Sequence, residues 1–454
     1  MQLVKKLFSF LLCAVFFLSL SVSAFAASSP EPFELTLLID GSDDTTVRAY
    51  QESYAGNLYL SLLDLSRALD GTAGQFRLEY GYSAENGESF TVRKGQSPAP
   101  EAPGITRLHI APSPGVNHLH LSRNRFYVEE QERKYYTYRS TDRDLYMSLL
   151  DVQLMLDISA SYVSDSCIRL SPGTGFSVPM EELITQGYFD AFDSILLADA
   201  DTGKALYSSA PNRIVPIASL SKLMSYLLLA EAMEEGRLHS EDIITISQRA
   251  ATLSLSADGI VFLSPGAEVP AQELLEAMLL ASSNESALAL AEATAGTEED
   301  FVRQMNDRAA ALGLRTACFY SPHGLPVYND STLPAKLQNR MSASDLFRLV
   351  RMILSHYPDI TQITCKQYCK MEKLDYNTAN SNPLVFNLEG VNGLKTGSTN
   401  KAGYCLAATM PVRSGDETHT VVLLLLGAES ADVRGQAAEL LLRYARDYYE
   451  KNGF

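Results

Sequence analysis

Tryptophan is absent from the 454 residues, and histidine is sparse, with 7. The histidines do not gather. His118 and His120 sit in a short alternating stretch that reads as one strand face, so neither a metal nor a cofactor is expected. Basic residues are outnumbered, 37 Lys and Arg against 54 Asp and Glu, for a net charge of −17. That excludes the basic footprint that nucleic acid or an anionic membrane surface attracts. An anionic substrate must therefore meet a local cation. Cysteine is scarce as well, 6 in all, and Cys13 falls in the leading segment. The other five, Cys167, Cys318, Cys365, Cys369 and Cys405, are odd in number and scattered, which is no disulfide framework. The stretch "ITCKQYCKME" alternates Ile363, Cys365, Cys369 and Met371 against Lys366, Lys370 and Glu372. It reads as a strand with both thiols buried, and at about 3.3 Å per residue they stand too far apart to bridge.

What is present begins with Lys5 and Lys6, an apolar run, and Ala24-Phe25-Ala26. Those are the three parts of a secretory signal peptide over 1–26, cleaved after Ala26. The alternative is a retained anchor, because Leu7 to Pro30 carries no charge and about 20 residues cross a bilayer.

The region 27–176 contains a repeat. "LYLSLLDLSRALD" starts at Leu58 and "LYMSLLDVQLMLD" at Leu145. Each copy, around 58–78 and 145–170, runs from a short strand into an amphipathic helix and then an alternating segment, "QFRLEY" or "CIRLSP". A duplicated small α+β module is expected, with the Pro-rich 97–104 as a loop. "SPGTGFSVP" at 171–179 punctuates the chain, and a second domain is expected over 177–454. It opens with "SILLADADTGKALYS", read as strand, turn, strand. It closes with an amphipathic helix whose polar face carries Glu439, Arg443, Arg446, Asp447 and Glu450, a packing helix rather than a membrane one.

Between them lies "IVPIASLSKLMSYLLLAEAM", from Ile214 to Met233, which reads as a core helix with Lys222 in its middle. Ser219 and Lys222 are three apart, so they share a helix face. A serine hydroxyl needs a base to become a nucleophile, and a lysine serves only if apolar surroundings lower its pKa. Leu220, Leu223, Met224 and Leu227–Leu229 provide them. Ser221 lies about 100° around the helix and reads as a bystander. Alone, this spacing equally describes a snorkelling lysine. It is joined downstream by Ser282-Ser283-Asn284, which by itself reads as a helix N-cap, and by Lys395-Thr396-Gly397 on a strand edge.

That trio is the signature of penicillin-binding proteins and class A β-lactamases. "PIASLSKLM", "FLSPGAEVPAQELLEAMLLASSNESALALAE", "SPHGLP", "SASDLFRL" and "GVNGLKTGSTNKAGYCLAA" resemble the serine D-Ala-D-Ala carboxypeptidases, the low-molecular-mass penicillin-binding proteins of peptidase family S11. The resemblance covers about residues 190–448. It implies a transpeptidase/β-lactamase-like α/β catalytic domain, an antiparallel sheet plus a helical cluster, preceded here by the duplicated small α+β region. It implies Ser219 as acylated nucleophile, Lys222 as general base, Ser282 as proton relay and Asn284 as orienter. Lys395 and Thr396 hold the substrate carboxylate with Thr399 as helper, Gly397 lets the substrate backbone approach, and the amides of Ser219 and Ser398 form the oxyanion hole. The implied substrate is a peptidoglycan stem peptide ending in D-Ala-D-Ala, the implied inhibitors are β-lactam antibiotics, and the implied location is secreted or extracytoplasmic.

The chain departs from that family's pattern at Ser221, where Thr is usual, at Ser283-Asn284-Glu285, where Gly-Asn-Asp is frequent, and at Asn392, where aspartate is frequent. His323 tempts as a base but reads as a turn residue, because the Ser/Lys pair already supplies one. The repeats resemble copper amine oxidase N-terminal-like stalk modules, which implies a non-catalytic region with a cell-wall or surface partner. A serine β-lactamase is the first competing function, but no E-x-x-x-N deacylation loop stands between Asn284 and Lys395. A catalytically weak wall-binding protein is the second, opposed by the intact trio.

Overall fold

The computed structural model describes residues 33–51, 58–84, 87–98, 120–128, 131–139, 144–164, 166–185, 187–328 and 336–454. The leading segment, His118 and most of 97–104 lie outside the described residues. The chain divides into two compact units after Phe176.

The first unit holds one ten-stranded sheet. Its elements are β1 (Phe33–Ile39), β2 (Thr45–Gln51), β3 (Leu58–Ser61), α1 (Leu62–Ala68), β4 (Phe76–Ser83) and β5 (Gly87–Lys94). They recur in the same order as β6 (His120–Val128), β7 (Gln131–Arg139), β8 (Leu145–Ser148), α2 (Leu149–Leu156), β9 (Ser159–Ser164) and β10 (Cys167–Ser171). The sheet order is β4-β5-β6-β7-β8-β3-β2-β1-β10-β9. It reads the same from either end once each strand is exchanged for its counterpart. The repeat strands meet at the centre, antiparallel, with Leu60 opposite Met147. Each copy's last hairpin joins the other copy's first strand, β10 parallel to β1 and β5 parallel to β6. In both copies the repeated serine caps the helix. Ser61 Oγ accepts the Asp64 N–H and Ser148 Oγ accepts the Asp151 N–H, each at 3.1 Å. The equivalence of "QFRLEY" and "CIRLSP" does not hold, because Phe76–Ser83 corresponds to Ser159–Ser164 and Cys167–Ser171 is one strand later. Leu35, Leu37, Leu60, Leu65, Phe76, Phe90, Phe126 and Met147 are fully buried in a core of this unit's own.

The second unit is built on a five-stranded antiparallel sheet. Its order is Ala205–Ser209, Ser194–Asp199, Glu417–Ala428, Gly403–Ser414, Gly393–Thr399. Strand 417–428 is central, and Val421 to Leu426 are all fully buried. That is why it reads as a continuous apolar run. Helix Ala431–Asn452 packs on strands 403–414 and 417–428 through Ala437, Leu441, Ala445 and Tyr449. A cluster of shorter helices, including Lys222–Glu234, Asn284–Ala295, Glu298–Ala311 and Ala343–His356, encloses a second core. No helix among the described residues is long and apolar enough to cross a membrane.

Two further local expectations fail. The segment from Ile214 does not begin as a helix: Val215–Pro216 pairs with Arg340–Met341, a 3-10 turn covers Ala218–Ser221, and the α-helix starts at Lys222. Pro216 and the pairing with 340–341 hold that entry extended. The alternating stretch 363–372 is not one strand. Ile360–Thr364 is helical and only Tyr368–Met371 is extended, so Cys369 is buried whereas Cys365 is exposed. A period of two over so few residues is also met by the end of one helix followed by a short strand.

Candidate active site

The switch from 3-10 to α-helix falls between the two residues that matter. In a 3-10 turn, side chains three apart eclipse. Ser219, half-buried at that turn, therefore stands directly under Lys222, and Lys222 Nζ donates to Ser219 Oγ at 3.0 Å. Lys222 is fully buried, as are Leu220, Leu223, Met224 and Leu227 beside it in sequence. Its ammonium donates to two further acceptors, Asn284 Oδ1 and the His323 carbonyl, both at 2.8 Å. Burial pulls its pKa down to about 7 against a partial upward pull from the carboxylate of Glu285. The amine is thus held by three acceptors yet poised to be neutral near neutral pH. Ser221 points elsewhere: it is buried and donates to the Ala218 carbonyl at 2.7 Å.

A single π-helical turn, Ala277–Ala281, leads to Ser282 in the left-handed region at φ 65°. Ser283 caps the next helix, its Oγ accepting the Ser286 N–H at 3.0 Å. Asn284, the first residue of that helix, is oriented from both ends of its amide: Nδ2 donates to the Asp258 carbonyl at 2.8 Å and Oδ1 faces Lys222. The capping role and the site role thus fall on neighbouring residues. Ser282 Oγ is half-buried and makes no hydrogen bond to Ser219 or Lys222 among the described residues.

The strand Gly393–Thr399 completes the arrangement. A side chain at Gly397 would place its Cβ 2.8 Å from the Ser219 backbone nitrogen and 3.2 Å from that of Leu220. The close approach of the 218–221 turn by itself calls for a glycine there. Lys395 is buried, and its Nζ donates to the Thr396 carbonyl at 2.9 Å. Its pKa is held well below the ordinary lysine value, first by burial, then by the positive charges of Lys222 and Arg434. Thr396 Oγ1 donates to Ser381 Oγ at 2.8 Å. Ser398 is exposed. Thr399 is already in use, donating to Gln338 Oε1 and accepting the Ala402 N–H, each at 3.0 Å.

Sequence reasoning missed several parts. The turn at 321–326 supplies a backbone carbonyl, which no side-chain pattern announces. His323 is a turn residue, and it also touches the site. Its Nδ1 accepts the Leu325 N–H at 3.2 Å, which assigns the ring proton to Nε2, 3.6 Å from Glu298 Oε1. Burial lowers the ring's pKa, so the imidazole stays neutral. Gly324, at φ 92°, packs so tightly on Ala218 that a Cβ would meet its carbonyl oxygen at 2.1 Å. Arg434, buried among the apolar residues of the last helix, is one of the charges that hold the Lys395 pKa down. Asp199, Asp201 and His419 form a cluster of metal-capable groups outside this set. Asp199 there accepts the N–H groups of Asp201 and Thr202 and pairs with His419 at 2.7 Å.

The chain has known relatives. The D-alanyl-D-alanine carboxypeptidase DacF of Bacillus subtilis is 33 % identical over 261 residues, which cover 57 % of this chain and 62 % of that protein. The D-alanyl-D-alanine endopeptidase of Pseudomonas aeruginosa is 28 % identical over 270 residues, 58 % of this chain and 77 % of that protein. The crystal structure of a peptidoglycan synthesis regulatory factor (PBP3) from Streptococcus pneumoniae superposes with a TM-score of 0.51 at 29 % identity, covering 57 % of this chain and 73 % of that one. The second unit has the transpeptidase-like fold of such structures. Residues 187–429 match the peptidase S11 family, D-alanyl-D-alanine carboxypeptidase, and the chain belongs to that family.

Proposed function

We propose that this protein is an extracytoplasmic serine D-Ala-D-Ala carboxypeptidase that removes the terminal D-Ala from peptidoglycan stem peptides through an acyl-enzyme, and that penicillin acylates it. The observation that carries the reading is the 3.0 Å contact between Ser219 Oγ and a fully buried Lys222 whose pKa lies near 7. Ser219 attacks the carbonyl of the penultimate D-Ala, and its proton passes to neutral Lys222. The carbonyl oxygen becomes an oxyanion that the amides of Ser219 and Ser398 stabilise. The lysine proton then reaches the leaving D-Ala amine, with the Ser282 hydroxyl as relay once substrate draws it in. Water releases the acyl group by the reverse sequence. Lys395 and Thr396 bind the terminal carboxylate. Burial, and then the charges of Lys222 and Arg434, hold the Lys395 pKa down, and an arriving carboxylate pulls it back up. The duplicated first unit serves as a non-catalytic stalk or surface-binding region.

Purified protein should release D-Ala from an acetylated Lys-D-Ala-D-Ala tripeptide, and folded Ser219→Ala should not. No release from folded wild type contradicts the proposal. Rapid multiple-turnover hydrolysis of penicillin would favour a β-lactamase instead.

A further inference from the structure

Glu285 follows the site asparagine and is fully buried in the first turn of helix Asn284–Ala295. Its Oε1 accepts the N–H of Ile260 at 3.0 Å and, more closely, that of Val261. The Asp258 carbonyl of the same loop accepts from Asn284 Nδ2. Two successive residues therefore grip the 258–261 loop at two points, and the outcome is the fixed direction of Asn284 Oδ1 toward Lys222. The other oxygen, Oε2, is buried without a hydrogen-bond partner among the described residues.

A buried carboxylate with one oxygen unpaired is costly. A glutamine would accept the same two N–H groups through its own Oε1 without burying a charge. Bracing the loop thus explains the acceptor but not the charge. The charge has a counterpart. Of the titratable groups around Lys222, Lys395 on the 393–399 strand is cationic when protonated, and His323 on the 321–326 turn is neutral. Ser219 and Asn284 carry none. Glu285 supplies the negative charge that acts on Lys222 from the packed helix.

We propose that Glu285 is a positioning residue for the Ser219–Lys222 pair, its Oε1 fixing the loop that aims Asn284 and its buried charge balancing the ammonium of Lys222. Without that charge, burial alone drives Lys222 toward a much weaker base, poorly matched to deprotonating a serine near neutral pH. The inference rests on the proposed role of Lys222 as base.

The test is the rate of acylation by a fluorescent penicillin from pH 5 to 9 in the full chain and in Glu285→Gln and Glu285→Asp. Wild type should show an acid limb near pH 7. In Glu285→Gln the limb should move down by about one pH unit. In Glu285→Asp the limb should stay, and the plateau rate should fall about tenfold because the shorter side chain cannot hold the loop. A purely structural role would lower the melting temperature and leave the limb in place. An unmoved limb in folded Glu285→Gln overturns the inference. If that variant does not fold, a displaced limb in Glu285→Asp overturns it equally. A wild type that is never labelled would overturn the function proposed above instead.

Discussion

At the residue scale the chemistry turns on one amine kept out of water. The folded-state pKa of Lys222, about 7, lies below the ordinary 10.5. Between those values the unfolded chain holds a proton that the folded chain lacks, so this group's contribution to stability rises with pH across that window. Its cost is fully present below about pH 7. Lys222→Met should therefore abolish acylation and yet melt higher than wild type at pH 6, by about 2 kcal/mol after loss of its three hydrogen bonds. The gap should close toward pH 10, and thermal denaturation across pH checks it. A variant that melts lower at pH 6 contradicts the reading of Lys222 as a buried burden. Lys395 makes a separate prediction. A peptide whose terminal carboxylate is amidated should be cleaved about 10–100-fold less efficiently, measured as kcat/KM, because it forfeits a charge-assisted hydrogen bond. Equal cleavage of the two peptides removes Lys395 from that role. Ser219 and Lys222 were legible because residues three apart meet in a 3-10 turn as on an α-helix, and because 282–284 and 395–397 accompany them. The His323 and Asp258 carbonyls were not, because a backbone acceptor belongs to any residue and only the fold selects it.

At the scale of elements the site is a junction of backbones. The turn at 218–221 is pressed between Gly324 on one turn and Gly397 on the edge strand. Gly397→Ala should push the strand away from the Ser219 amide and slow penicillin acylation about 100-fold, with little loss of stability. An acylation rate within twofold of wild type would show that the strand yields without consequence. The sequence announced the helix, a cap within 282–284 and the edge strand, each from its own local pattern. It misplaced the start of the helix that carries Lys222, because the apolar run from Ile214 hides a two-residue strand that exists only through its partner at 340–341. It misread Cys365 for a related reason: the helix at 360–364 is fixed by tertiary packing, including Thr364 Oγ1 bonding to the Asn392 carbonyl, and not by local period.

At the scale of the whole molecule, two cores imply two cooperative units. Calorimetry should resolve two transitions, and acylation by penicillin should raise only the one belonging to residues 177–454. A single transition, or a shift of both, would show that the units unfold together. The duplication of the first unit was legible in "LYLSLLD" and "LYMSLLD", since the repeated serine caps equivalent helices by accepting the N–H of the repeated aspartate. The exchange of terminal hairpins between the copies was not, because strand pairing across such distances leaves no local mark. The account's central claim is that Ser219, and not Ser221, is the acylated serine. One gel tests it: a fluorescent penicillin added to wild type, Ser219→Ala and Ser221→Ala, each confirmed folded. The account predicts a labelled band for wild type and Ser221→Ala and none for Ser219→Ala. Label retained by Ser219→Ala would contradict it.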